Sequence, residues 1–230
     1  MKNLTTLGKI LRIVAIILMT LTAAFTILGG AGTSCVAFAP NNPSWAEMGG
    51  KLAPYQWLYI LFVLATLAFG VMGARAVVLL IRGRANAYRY SLIALIGGAV
   101  VGIIHILVSR SLRGSSMPVD MVVYTTILTL AYFLILRIPA LWQKVGFDQP
   151  ASANTAGTTG GLAAILAGVL ALTVHLWAGP THTWNGVNWA DAWHPTLTVA
   201  GWGLVLLGIG LLAWSMGLAF GRSSLANGKA

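Results

Sequence analysis

The chain has 230 residues, 58% of them hydrophobic and only 8% charged, with a formal net charge of +10. A soluble domain carries about 25% charged residues, so this chain lacks the side chains to cover itself with a hydrated surface. The expected class is an all-α integral membrane protein, and the length allows one compact helical bundle.

The basic balance is a matter of placement. Of the fourteen Lys and Arg, ten fall in segments that a single topology puts on one side: Lys2, Lys9, Arg12, Arg82, Arg84, Arg89, Arg137, Lys144, Arg222 and Lys229. Lys51, Arg110 and Arg113 fall on the other side, and Arg75 lies inside a span. This asymmetry follows the positive-inside rule. It orients the chain in a cell (plasma) membrane and is not a nucleic-acid footprint. The expected partners are the lipid bilayer and other membrane subunits or a second copy of the chain.

Apolar runs of roughly 20 residues cross a bilayer as helices, because backbone groups in lipid must be satisfied within the segment. Six such runs recur, at about 8–31, 55–81, 90–109, 119–137, 160–179 and 195–220. The first follows a basic start and, up to Cys35, reads like a lipoprotein signal, except that Gly32 stands where such signals carry Leu. It is expected to persist as a transmembrane helix. Cys35 is the single cysteine, which excludes an internal disulfide framework; no task is assigned to its thiol. Six spans put the N and C termini in the cytoplasm.

In the second span, Arg75 lies near the inner end and is expected to snorkel to the headgroups. The third carries Gly98 and Gly102 at GxxxG spacing, the fifth Ala164 and Gly168, the sixth Gly217 and Gly221. Such pairs let helix backbones approach in lipid, and packing within the bundle is their expected use. After the fourth span, IPALWQKVGF is expected along the interface, while DQPASANTAGTTGG has the composition of a linker. The expected organisation is thus 4+2: a four-helix group over 1–149, a flexible cytoplasmic linker over 150–159, and a transmembrane hairpin over 160–230. No internal repeat is evident, which argues against transporter folds built from duplicated halves.

Polar residues within a membrane are costly and therefore informative. All four histidines and three of the four acids, Glu47, Asp120 and Asp191, fall toward the outer side. His105 and His175 each precede an outer helix end by about five residues, which places both about 7 Å below the boundary. Equal depth on two helices suits a bis-histidine haem b, with Arg110 and Arg113 pairing its propionates; a quinone would use the same groups. The competing reading gives each histidine only a structural hydrogen bond. Asp120 is expected to cap the fourth span or to pair with Arg110 or Arg113.

The last outer loop, THTWNGVNWADAWH, offers a second choice. One reading makes NWADAWH a short helix capped by Asn188, with Asp191 in its first turn and tryptophans anchored at the interface. The other makes His182, Asp191 and His194 metal ligands for zinc or copper. Trp177, Trp184, Tyr55 and Trp57 are candidates to stack on a ligand between the outer loops. No Walker loop, dinucleotide fingerprint, HExxH or CxxC is present.

Three functions remain open. The first is a non-catalytic subunit of a larger, energy-converting membrane complex. The second is a redox protein holding haem b or a quinone through His105 and His175. The third is a solute-binding component of a transporter: six spans, cytoplasmic termini and an aromatic outer pocket are similar in topology to the substrate-binding subunits of energy-coupling-factor vitamin transporters.

Overall fold

The computed structural model describes residues 5–41, 51–116, 119–147, 149, 153–178, 183–184 and 187–227. Helix α1 covers Thr6–Phe38 and starts at Thr5, whose hydroxyl accepts from the Gly8 N–H at 3.2 Å. A 3-10 turn, Ala53–Tyr55, leads into α2, Gln56–Ile81. Then come α3, Ala87–Arg113, α4, Val119–Ile135, and the short α5, Pro139–Val145. Helix α6 runs over Ala153–Ala178. The paired segments β1, Thr183–Trp184, and β2, Val187–Asn188, precede the one-turn α7, Trp189–Ala192, and the long α8, His194–Asn227.

Five helices are long and apolar enough to cross a membrane, and a sixth span is counted if α4 and α5 are taken together. These two meet at 98°. Pro139 opens α5 and forces the residue before it out of the helical region; Ile138 accordingly sits at φ −55°, ψ 127°. The segment from Pro139 onward therefore turns sharply off α4.

Helices α1 to α4 pack as a ring, α1 on α2, α2 on α3, α3 on α4 and α4 back on α1. Helix α6 joins this ring against α1, while α8 packs chiefly on α6. Toward the Arg12 end the core gathers Ile16, Met19, Leu80, Leu95, Phe133 and Leu136. Toward the Arg110 end a smaller core holds Leu52, Tyr59, Phe62 and Val63. Threonines tie the ring internally: the Thr22 and Thr129 hydroxyls lie 2.7 Å apart across α1 and α4.

Of the segment 150–159, residues 153–159 belong to helix α6, and residues 150–152 lie outside the described ones. The small polar residues are used for packing rather than slack. Thr159 is 1% exposed and donates to the Thr155 carbonyl, and the Thr158 hydroxyl lies 3.1 Å from that of Ser215 on α8. A side chain added at Gly157 would stand 3.0 Å from Ser215 Cβ and 3.3 Å from the Leu211 carbonyl oxygen. Residues of linker-like composition thus have tertiary partners on α8.

Candidate functional site

His105 lies on α3 and is 3% exposed. Its ring stacks on Phe62 of α2, with centroids 4.4 Å apart at 15°, and meets Tyr59 edge-on at 5.6 Å. Tyr59 and Phe62 are three residues apart and so share one face of α2. The Tyr59 hydroxyl lies 3.0 Å from Ser109 Oγ, one turn beyond His105. The histidine thus packs against two aromatic rings, of which Tyr59 is also hydrogen-bonded to its own helix. Beside it is a cavity of about 20 Å³ lined by Thr26, Gly29 and Thr33 of α1, Thr66 of α2, Gly98 and Gly102 of α3, and Val119 and Val122 of α4.

The arginines above His105 have separate surroundings. Arg110 Nη2 donates to Asp120 Oδ1 at 2.7 Å and its Nε donates to Ser116 Oγ at 2.9 Å. Ser116 in turn donates to Asp120 Oδ2 at 2.6 Å. The carboxylate sits in the first turn of α4, where helix N-termini favour negative charge. It therefore staples the end of α3 to the start of α4, and the expected pairing falls to Arg110. Arg113 Nε is buried without a hydrogen-bond partner among the described residues.

His175 takes a different partner from His105. Its ring meets that of His194, at the start of α8, edge-on with centroids 5.1 Å apart. Asp191 and His194 are exposed, and His182 lies outside the described residues. Among the described residues no group of three or more metal-ligating side chains converges. Tyr55 and Trp57 are exposed; the side chains of Trp177 and Trp184 lie outside the described ones. The short helix expected over NWADAWH is present as the single turn α7, immediately after Asn188. Before it, Trp184 pairs with Val187.

Together these residues stack, hydrogen-bond and pair charges between helices.

Sequence reasoning missed the role of Arg12, which was counted only as a topology charge. It is 1% exposed; Nη2 donates to the Leu80 carbonyl at 2.8 Å and Nη1 to the Gly146 carbonyl at 3.3 Å. Both acceptors close helices, α2 and α5, whose last carbonyls have no partner within the helix. Only the spacing of Arg12 on the same face as Ile16 and Met19 hinted at burial. Nearby, Tyr88, Phe133, Trp142 and Phe147 form an aromatic cluster, and the Arg137 guanidinium lies 4.5 Å from the Trp142 ring. Arg75 is exposed and lies over the Tyr90 ring at 5.1 Å. Tyr90 is in the first turn of α3, so Arg75 reaches toward the Arg12 end.

In comparisons with protein families, curated proteins and solved structures, the chain matches none.

Proposed function

We propose that this chain is a non-catalytic subunit of a larger membrane assembly and that α8 is its docking helix. The observation that carries the reading is a double glycine pattern on α8. Gly201 and Gly208 face α6, where added side chains would lie 3.0 Å and 2.6 Å from the carbonyl oxygens of Gly168 and Gly161. Ser215 continues the same row against Gly157. Gly203, Gly210 and Gly217 repeat that seven-residue spacing two positions on, about 200° round the helix, and a side chain added at any of them would meet nothing within 4 Å among the described residues.

One face of α8 is thus closed by α6 and the opposite face is bare. Trp202, Leu206 and Trp214 border the bare row and are all more than half exposed. Only 17% of the most apolar window of α8 is buried, against 44% for α1. Lipid offers helices no hydrophobic drive to associate, so close approach at small residues is a main source of binding. A repeat of the α6 pairing pattern on the free face supports a second helix as its occupant.

Extraction into lipid nanodiscs, followed by native mass measurement, tests this reading. The wild type is expected in a complex, while Gly210→Leu is expected to leave it with the α6–α8 pair intact. A wild-type chain that is monomeric under these conditions would overturn the proposal. The redox and solute-binding readings have less support, since His105 and His175 take separate ring partners and the cavity beside His105 is small.

A further inference from the structure

We propose that the cavity enclosed by α1, α2, α3 and α4 is a binding site for one water molecule, held between the His105 imidazole and the threonine hydroxyls. An imidazole carries at least one N–H, and a donor without a partner is destabilising unless water reaches it. His105 is 3% exposed, one ring face is covered by Phe62, and Tyr59 meets it edge-on. Neither ring nitrogen has a hydrogen-bond partner among the described residues, yet the side chain lines the cavity.

The other lining groups complement it. Thr26 donates its hydroxyl proton to the Thr22 carbonyl at 2.6 Å, and Thr33 donates its own to the Gly29 carbonyl at 2.8 Å. With their protons engaged, both oxygens have lone pairs left to accept. Thr66 has no hydrogen bond among the described residues and is free to donate or accept. Donors and acceptors thus line one space, and the remaining walls are Gly29, Gly98, Gly102, Val119 and Val122.

Size and charge narrow the guest. A cavity needs about 10–15 Å³ to hold one water, and such a water makes two to four hydrogen bonds. The volume here is about 20 Å³. No carboxylate lines it to balance a cation, and an unpaired ion in such surroundings is strongly disfavoured. A neutral molecule that both donates and accepts fits; an apolar gas would leave His105 unsatisfied.

The full chain in lipid nanodiscs, labelled with nitrogen-15 at histidine, allows magnetisation to be followed from water to each ring N–H by solid-state NMR. The His105 signal is identified by its disappearance in His105→Phe. Transfer to His105 is expected despite its burial. Thr66→Val, which keeps the shape and removes one hydroxyl, is expected to lose that transfer while His175 keeps its own signal. No transfer to His105 in the wild type, or transfer unchanged in Thr66→Val, would overturn the proposal. So would xenon occupying the cavity in the wild type, because a dry apolar space would then be shown.

Discussion

Arg12 shows how much a single buried charge can organise at the ends of neighbouring helices. A guanidinium has five donors in a rigid fork. Here the fork reaches across from α1 to Leu80 at the end of α2 and Gly146 at the end of α5. Helix C-termini carry partial negative charge, which favours a cation there. Arg12→Met keeps most of the stem and removes the donors, leaving buried carbonyls unsatisfied. A loss of about 2–4 kcal/mol is expected, seen as a lowered thermal midpoint of the detergent-solubilised protein. Asp120→Asn removes a charge whose partner Arg110 is 55% exposed at its side chain. Solvent screens that pair, so a smaller loss is expected in the same measurement. Equal losses for the two variants would contradict this assignment of roles.

At the scale of elements, glycine decides which helix faces meet. Gly161 and Gly208 stand opposite each other on α6 and α8, and an added side chain on either reaches the other's carbonyl within 2.8 Å. Gly161→Leu is expected to separate the hairpin and lower the thermal midpoint, because overpacking costs about 1–3 kcal/mol even without a backbone clash. Gly203→Leu adds the same bulk where an added side chain meets nothing within 4 Å among the described residues, and the isolated chain is expected to keep its midpoint. If both variants behave alike, the two faces of α8 are not distinct. Of the pairs visible as motifs, Gly102 meets Val123 and Gly168 meets Gly201, both inside the bundle, whereas Gly217 is open. Spacing alone announced close packing but not its partner. Gly8 gives the same lesson at the other end: a methyl there would collide with the Lys144 carbonyl, a contact between residues far apart in the chain.

Across the whole molecule, the ring of α1 to α4 and the α6–α8 hairpin share α1 as their common neighbour. The chain has one cysteine, Cys35, near the end of α1, which makes its orientation accessible to labelling. With Cys35 replaced by Ser, single cysteines at Arg84 and at Gly114 are expected on opposite sides of the membrane when a maleimide that cannot cross it is applied to intact cells. Under the positive-inside reading, Gly114→Cys is labelled from outside and Arg84→Cys is not. The reverse pattern would invert the topology, and labelling of both would break the third span.

Apolar run length and the scarcity of charge were enough to mark helices long and apolar enough to cross a membrane, because those terms depend on composition within one segment. The turn at Pro139 has an equally local cause, since proline acts on its immediate neighbours. Position in the chain could match His105 and His175 in depth, but not decide the direction in which each ring points. That depends on the rotation of each helix about its axis, which is set by the neighbours it packs against. Tertiary structure gave His105 to Phe62 and Tyr59, His175 to His194, and Asp120 to Arg110. It also made helix of positions 153–159, whose small polar side chains have little reason to order until α8 lies against them.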